Sequence, residues 1–575
     1  MSKLHIITLS FLVFALTMNV SAQDIEQILK AAPLTTSGGI SFSQIGNFSP
    51  DTNQTLDPYS YFLSGNINAN LYGLINLPFS FAYTNSQISS SVPQPFNRLS
   101  MSPSYKWITA HIGYASMNFS PYTLAGHEFL GGGLELTPNK SFKIAVMYGR
   151  LKRSVNPDTL GTEPAYRRMG GGIKLDYMNK NIDASVNVFK AEDDINSITY
   201  NLTDSIIVKP QDNITAGAKV KLKMINNFSI TAEYAISAIN HDISKKDSIN
   251  NGSSNFLIEQ HGDLAYYHAF KSNVSQTSKL GQIGASYERV SPNYKTLGAY
   301  YFNNDFENIT ANFSTSIKKR INIALDAGYQ RDNLNGQKTN ESSRLIYSAN
   351  VNAKLNKKLN LGVSLSNLQT YVHIRDIYDQ ITQTNEFQNL DTLSFTQLNF
   401  TVSSNLNYII QASKTKRQNL NIGFAYQEAS QQQEDDQEFT GNQIYNSTIS
   451  YLFSLIPQRL NISTTVNYNN NQMPEMTMNV TSFNLSVQKA FFEQLKVSLI
   501  SSYSNSANKE GTIADIVNVR LTGGYTLRKK HNFNLSLAMV NNNGVQGSKT
   551  QYSANLSYNF MFNFQVKRKK EKLDI

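Results

Sequence analysis

A short polar turn followed by a strand of alternating apolar and polar residues recurs along this chain. One copy, "NKKLNLGVSL" from Asn356, places Leu359, Leu361, Val363 and Leu365 on one face. Similar stretches begin at Asn226, Lys318, Lys416, Pro457, Phe492 and Lys529. A period of two is that of a β-strand whose two faces meet different surroundings. The repetition predicts many strands of one kind, each rising from the same end of a sheet.

The connections between these segments fall into two classes. Tight turns such as "KKR" at Lys318 and "SPN" at Ser291 alternate with longer polar stretches such as Lys152 to Ala165, Ala191 to Gln211 and Ile239 to Gln276. A strand is predicted from Tyr294, and the stretch 86–104 is predicted to be a connection. Outer-membrane barrels have short periplasmic turns and longer external loops. We therefore predict an all-β fold, a large antiparallel transmembrane β-barrel of about 24 strands (22–26), with both termini in the periplasm. A large soluble antiparallel β protein is the alternative, and no propeller or solenoid period supports it.

The ends of the chain predict its domain organisation. Residues 1–22 are predicted to be a cleaved signal peptide, since a positive Lys3 precedes an apolar stretch and a small-residue cleavage site. Residues 23–58 are predicted to be a periplasmic segment, holding a short helix or a plug, and 59–564 the barrel. Residues 565–575 form a predicted basic periplasmic tail. The last strand, from Gln551, resembles the aromatic C-terminal strand that the outer-membrane insertion machinery recognises.

The stretch from Tyr61 to about Ser197 resembles an uncharacterised β-barrel family of Bacteroidota outer membranes. The likeness is carried by "LSGNINANLYGLINLPFSFAYTN", "PFNRLSMSPSYKWITAHIGYASMNFSPYTLAGHEFLGGGLELTP", "AVMYGRLKR" and "AYRRMGGGIKLDY". It implies a fold and a location in the cell outer membrane, and no activity. In broad outline the chain also resembles TonB-dependent receptors, but residues 23–58 are too few for the globular plug of that class.

The sequence offers no set of residues that predicts catalysis. The chain has no Cys, and its eight His residues show no metal-binding spacing such as HExxH. His261, Asp263 and His268 of "HGDLAYYH" are expected to be solvated in an external loop. We predict a protein that is not an enzyme and has no cofactor or metal. The net charge of +10 is expected to meet lipid headgroups, not nucleic acid.

One segment, 115–133, fits neither neighbouring strand well and is predicted to fold into the lumen. Its candidate constricting residues are Asn118, Phe119, Pro121, Tyr122, His127 and Phe129. Gated passage or translocation across the outer membrane is one predicted function. A structural or assembly role, in which the barrel docks envelope partner proteins, is the alternative, and an enzyme at the barrel wall is a third. The other predicted partners are outer-membrane lipids, lipopolysaccharide and the insertion machinery.

Overall fold

The structure is a computed structural model that describes most of the chain. The described residues are 31–50, 58–85, 97–156, 164–198, 208–244, 263–300, 302–337, 343–367, 370–373, 395–430, 441–473, 476–545 and 547–566. The predicted signal peptide, most of the predicted short helix over Asp24 to Ala32 and the tail beyond Val566 lie outside these ranges.

The described residues form 28 strand segments that hydrogen-bond into one antiparallel sheet. In chain order they are β1 Leu34–Phe48, β2 Tyr59–Leu71, β3 Ile75–Thr84, β4 Arg98–Met101, β5 Ser104–Tyr105, β6 Ile108–Asn118, β7 Ala125–Leu136, β8 Phe142–Lys152, β9 Arg167–Met178, β10 Ile182–Asp194, β11 Asp212–Lys223, β12 Phe228–Asn240, β13 Ala265–Ser278, β14 Gly281–Val290, β15 Phe306–Ile317, β16 Ile321–Arg331, β17 Ser343–Lys354, β18 Leu359–Ser366, β19 Thr370–His373, β20 Phe395–Ala412, β21 Lys416–Ser430, β22 Gly441–Leu455, β23 Leu460–Gln472, β24 Thr477–Ala490, β25 Leu495–Asn508, β26 Gly511–Leu527, β27 His531–Gly544 and β28 Gly547–Gln565. Two short 3-10 turns, Ile195–Ser197 and Ile225–Asn227, accompany them.

The sheet closes on itself as a barrel of 26 strands. β4 and β5 are the two halves of one interrupted strand between β3 and β6, and β18 and β19 both pair with β20. β1 pairs with β2 on one side and with β28 on the other, from Thr35 opposite Gln565 to Phe48 opposite Tyr552. The predicted antiparallel barrel is confirmed, and its strand number lies at the top of the predicted range.

The prediction that the barrel begins near residue 59 is wrong. Part of the supposed periplasmic segment, Leu34–Phe48, is the strand that closes the barrel. Two glycines, Gly38 and Gly39, interrupt the apolar alternation that would have revealed a strand. A Cβ atom at Gly38 would lie 2.1 Å from the carbonyl oxygen of Asn66 on β2, so the close approach of the two strands requires glycine.

Three further strand predictions are wrong. Arg98–Met101 and Ala265–Ser278 are strands, whereas both stretches were expected to be connections. The stretch from Tyr294 was expected to be a strand after a periplasmic turn at Ser291, but it is an irregular connection between β14 and β15. Its residues alternate in polarity like a strand, yet Pro292 lacks a ladder donor and Asn293 has a positive φ of 59°.

The two ends of the barrel differ in their connections. The twelve connections of the end that holds Lys318 to Arg320 span two to five residues, all within the described ranges, and we name it the turn end. The opposite end, the loop end, carries longer connections such as 195–211 and 241–264, of which large parts lie outside those ranges. β1 begins and β28 finishes at the turn end. The predicted short turns at one end are confirmed, but the loop end is mixed, since only Lys509 and Glu510 join β25 to β26 there.

The outer face of the barrel carries a band of exposed apolar side chains. Val466 and Leu521 are 44% and 46% exposed, and the alternate positions Asn467 and Asn518 are buried on the opposite face. Such an apolar outer band around a closed barrel is the architecture of outer-membrane proteins, because lipid offers no partner for open strand edges. Within the described part of the chain, no helix is long and apolar enough to cross a bilayer.

Candidate functional site

The connection between β6 and β7 folds into the barrel, and we name Phe119 to Leu124 inner loop 1. Odd-numbered positions of β10 and β12 face the interior, because Val186 and Tyr234 at even positions are exposed on the outer face. Thr123 donates its hydroxyl hydrogen to Oδ1 of Asn187 at 2.7 Å, and Ser120 donates to the carboxylate of Glu233. Inner loop 1 is therefore bound to the inner wall by its own side chains.

The connection between β14 and β15 folds inward beside it. We name residues 291–300 and 302–305 inner loop 2. Leu297 donates its backbone N–H to Oδ1 of Asn213 at 3.1 Å, and Ser237 donates to the backbone oxygen of Lys295 at 2.6 Å. Both strands that hold inner loop 2, β11 and β12, belong to the same part of the wall that holds inner loop 1.

The two inner loops bind each other as well as the wall. Leu124 and Gly298 form an isolated parallel bridge, in which Ala125 donates its N–H to the oxygen of Gly298 at 2.9 Å. Tyr294 donates its hydroxyl hydrogen to the backbone oxygen of Tyr122 at 2.7 Å. Pairing between the two loops gives buried backbone groups of both loops partners, which favours one defined arrangement.

An apolar core fills the space between the inner loops and the wall. Two clusters of buried side chains form it, and their members are Met117, Phe119, Leu124, Phe129, Ala145, Met147, Leu151, Phe189, Ala191 and Leu297 in the first, and Tyr122, Ala235, Ala269, Val290 and Tyr294 in the second. A buried apolar core inside a barrel excludes water, so this side of the interior is packed like the inside of a globular protein. It does not resemble the wall of an aqueous channel.

Glycines of the wall make room for this core. A Cβ atom on Gly172 would lie 2.8 Å from Cε2 of Phe119, and one on Gly149 would lie 2.8 Å from Cδ2 of Phe129. Real Cβ atoms do not approach other atoms so closely, and any larger residue would displace the two aromatic rings. Gly172 of the "MGGGI" stretch on β9 and Gly149 on β8 are thus explained by packing.

Two carboxylates tie inner loop 1 to the wall. Glu233 accepts from Ser120 and lies 3.5 Å from Nζ of Lys219, and Glu288 accepts from the hydroxyl of Tyr122 at 2.6 Å. Lys271 pairs with Glu288 at 2.8 Å. Burial, with the negative charge of Glu288 beside it, raises the pKa of Tyr122 far above its ordinary value. The phenol stays protonated and remains a hydrogen-bond donor at every physiological pH.

The predicted constricting residues divide into two groups. Phe119, Tyr122, His127 and Phe129 are buried in the interior, whereas the side chains of Asn118 and Pro121 are exposed. The ring of His127 stacks on Tyr300 of inner loop 2 at 4.0 Å between centroids. That these residues constrict a passage stays a prediction.

Inner loop 2 was missed because it was interpreted as a strand. One sequence signal could have revealed it: "SPNY" at Ser291 resembles "SPYT" at Ser120, and each stretch has a proline and an aromatic residue between two strands. His268, proposed for an external loop, lies on β13 and is hydrogen-bonded to Tyr234 at 2.7 Å, while His261 lies outside the described residues. Among the described residues, no group of three or more His, Asp or Glu side chains is placed to hold a metal ion.

The opposite half of the wall, β20 to β28, has an inner face of small polar residues. Thr448 donates to Asn467 at 2.7 Å, and Ser482 shares a 2.8 Å hydrogen bond with Ser504. These cross-strand bonds hold the side chains flat against the wall. The interior is therefore asymmetric, with a packed side around the inner loops and a polar side opposite.

No model of a protein family matches the sequence, and neither does any curated protein. Among solved structures, a mutant ferric enterobactin receptor from Pseudomonas aeruginosa is 10% identical, with a TM-score of 0.44 over 93% of this chain and 81% of the receptor. The siderophore receptor PirA from Acinetobacter baumannii is 10% identical, with a TM-score of 0.41 over 91% and 80%. The translocation pore of the P pilus usher is 10% identical, with a TM-score of 0.34 over 91% and 99%. Likenesses this distant bear on neither the substrate nor the mechanism of this chain, and the resemblance to a Bacteroidota family stays a prediction.

Proposed function

We propose that this protein is an outer-membrane barrel for gated passage of solutes, and that the two inner loops are its gate. The observation that carries the proposal is the pairing of inner loop 1 with inner loop 2 inside the barrel, through Tyr122, Leu124, Tyr294 and Gly298. Both loops enter the interior from the loop end and are held by hydrogen bonds that can break and re-form one at a time.

The size of the barrel makes a gate necessary. Strands about 4.8 Å apart and tilted by about 40° give a circular barrel of 26 strands roughly 50 Å across. The polar half of the wall carries Asn, Ser and Thr, which are too small to fill such a space. An unobstructed barrel of this size would let large antibiotics enter the cell, so material inside the lumen has to restrict passage.

The alternative is a structural or assembly role in which the barrel docks envelope proteins. Contacts with such partners, with lipopolysaccharide and with the insertion machinery stay predictions, as does the absence of catalysis. The two functions differ in one measurable respect. A gate is supported if substitutions confined to the inner loops change the passage of solutes. An assembly role is supported if a partner co-purifies stoichiometrically and the same substitutions leave solute passage unchanged.

The test is the sensitivity to vancomycin of a Gram-negative host that expresses the barrel at constant level. The variant S120A/Y122F/T123V removes the three side-chain hydrogen bonds that join inner loop 1 to the wall and nearly conserves volume. At about 1 kcal/mol for the bond to Asn187 and about 1.5–3 kcal/mol for each bond to a carboxylate, the closed loop should lose about 4–7 kcal/mol. We expect the inhibitory concentration to fall several-fold, because the loop opens more often.

The matched control is S364A/Y426F/T448V, which removes the same three groups from β18, β21 and β22. Each of these hydroxyls also donates a hydrogen bond, to Asn350, Glu428 and Asn467 respectively. The control should leave vancomycin sensitivity as it is in the unaltered protein. Equal sensitivity of the loop variant and the control would refute the gating role of inner loop 1.

A further inference from the structure

A second feature of the interior is a cavity of about 590 Å³ beside inner loop 2, near the loop end of β8 to β11. We name it the basic pocket and define it by Lys152, Arg168, Asp193, Lys209 and Lys295, all of which line it. Its four cationic side chains outnumber its carboxylate by three. Asp242, which lies 4.0 Å from Lys209 at the edge of the cavity, reduces the excess to two.

The guanidinium of Arg168 is fixed in place at the base of the pocket. Its Nε and Nη2 donate to the two oxygens of Asp193 at 2.7 and 2.8 Å, and the backbone N–H of Gln211 donates to the same carboxylate at 3.0 Å. The side chain of Asp193 is 3% exposed and that of Arg168 is 12% exposed. A two-bond pair of this kind uses one edge of the guanidinium and leaves its remaining N–H donors outside the pair.

The ammonium group of Lys295 lies on inner loop 2 and faces the same cavity. It donates to Oε1 of Gln211 at 3.0 Å, a neutral partner that does not cancel its charge. Burial and the neighbouring Arg168 lower the pKa of Lys295, and Asp193 partly opposes this effect. The side chain of Lys295 is partly exposed, so its ammonium group is accessible to an anion in the cavity.

Flat aromatic rings form another part of the lining. Tyr300 lines the cavity and stacks on His127, and Tyr166 lines it from the connection between β8 and β9. Apolar rings combined with a few convergent charged groups are the usual make-up of a small-molecule site, and 590 Å³ lies within the usual volume range of such sites.

We propose that the basic pocket binds a small soluble solute through a phosphate group. An excess of two to three positive charges matches a phosphate dianion better than a single carboxylate, and the combination of arginine and lysine suits phosphate oxygens. The cavity lies inside the barrel, on the face away from lipid, which excludes the headgroups of the surrounding membrane. The inference rests on the proposed passage role, since it names the class of solute that approaches the inner loops.

The test is equilibrium binding of inorganic pyrophosphate to the full-length barrel in a non-ionic detergent, measured by calorimetry at low salt. The variant K209Q/K295Q removes two pocket charges. The control K319Q/K529Q removes two lysine charges from connections at the turn end. We expect saturable binding that is weakened at least about tenfold in the pocket variant and by less than about twofold in the control.

Three results would overturn the proposal: no saturable binding to the unaltered protein, equal weakening in both variants, or acetate binding as tightly as pyrophosphate. The heat-dependent gel migration of folded barrels checks that each variant is folded. If the pocket variant does not fold, protection of Lys295 from amine acylation by pyrophosphate is measured on the unaltered protein, and absence of protection rejects the site. Calorimetry measures affinity and not passage through the barrel. A negative binding result would therefore reject the basic pocket without rejecting the gating role of the inner loops.

Discussion

The hydroxyl group of Tyr294 donates a hydrogen bond of 2.7 Å to the backbone oxygen of Tyr122, and the two residues are 172 positions apart in the chain. Both side chains are buried, with 0% and 3% of their surface exposed. Burial also raises the pKa of Tyr294 well above its ordinary value, so its donor proton is retained. The bond joins the two inner loops into one unit, and the predictions for gating depend on it.

Replacing Gly298 by alanine should separate the two inner loops. The new Cβ atom would lie 2.5 Å from the backbone oxygen of Thr123, and the loops must move apart to accept it. Overpacking of this kind costs about 1–3 kcal/mol. We expect G298A to raise the frequency of channel openings in planar bilayers. The matched control is G523A on β26, where no atom lies within 4 Å of the new Cβ, and an equal change in both variants would contradict the prediction.

Closure of the barrel by β1 should be impaired when Gly38 is replaced by alanine, but not when the adjacent Gly39 is replaced. A Cβ atom at Gly38 would lie 2.1 Å from the oxygen of Asn66, whereas one at Gly39 would lie 3.5 Å from the oxygen of Phe560, an ordinary contact. We expect G38A to lower the fraction of protein that reaches the folded, heat-modifiable form on a gel, and G39A to leave that fraction nearly unchanged. If G38A folds as well as G39A, β1 does not pair with β2 as described.

The outer face of the strands could be predicted from sequence because its pattern is local. Ile422 and Phe424 alternate with Asn421 and Gly423, and they are exposed on the outer face as their spacing predicts. β1 could not be predicted in this way, since Gly38 and Gly39 weaken the alternation and the strand is held by its pairing with β28, more than 500 residues away.

The interior was only partly predictable for the same reason. Proline and aromatic residues indicated that the segment 115–133 leaves the sheet, whereas only 119–124 do, because 115–118 belong to β6 and 125–133 to β7. Its partner could not be predicted, because the alternation of Tyr294, Thr296 and Gly298 resembles a strand and their contacts lie on distant parts of the chain. The alternation of apolar and polar residues identifies strands from the local sequence. Contacts between loops cannot be found in this way, because they form only when the barrel has closed.

The assignment of the loop end to the cell exterior can be tested by cysteine labelling, because the chain has no Cys of its own. Asn335 lies at the loop end between β16 and β17, and Lys357 lies at the turn end between β17 and β18. We expect N335C to react with a membrane-impermeant maleimide on intact cells and K357C to react only after the outer membrane is opened. The reverse pattern would refute the orientation.

The affinity for pyrophosphate should begin to fall at a lower pH than it would if Lys295 had the pKa of an ordinary lysine. Burial lowers the pKa of Lys295 below its usual 10.5, so its ammonium loses its charge earlier as the pH rises. Arg168 and Asp193 face it from β9 and β10, and Lys209 and His241 face it from neighbouring connections. The pKa of His241 is also lowered by burial, so this ring stays neutral near pH 7.

The measurement is the pyrophosphate dissociation constant between pH 7 and 10 for the unaltered protein and for K295Q. The affinity advantage of the unaltered protein should shrink toward pH 10, because a lowered pKa makes Lys295 lose more of its charge there than an ordinary lysine does. Comparing the two proteins cancels the titration of pyrophosphate itself. An advantage that stays constant over this range would show that the charge of Lys295 does not contribute to binding.

The central claim, that inner loop 1 must leave the wall for solutes to pass, can be tested by fixing it there. In T123C/N187C, oxidation to a disulfide would join two positions whose side chains are hydrogen-bonded at 2.7 Å in the unaltered protein, and a reductant would release them. The control S364C/N350C joins a similar pair, also bonded at 2.7 Å, between β18 and β17. The readout is single-channel conductance in planar bilayers before and after cross-linking. We expect brief openings of large conductance, which cross-linking abolishes in T123C/N187C and leaves unchanged in the control. Steady large conductance before cross-linking, or openings of T123C/N187C that persist after it, would contradict the gating role of inner loop 1.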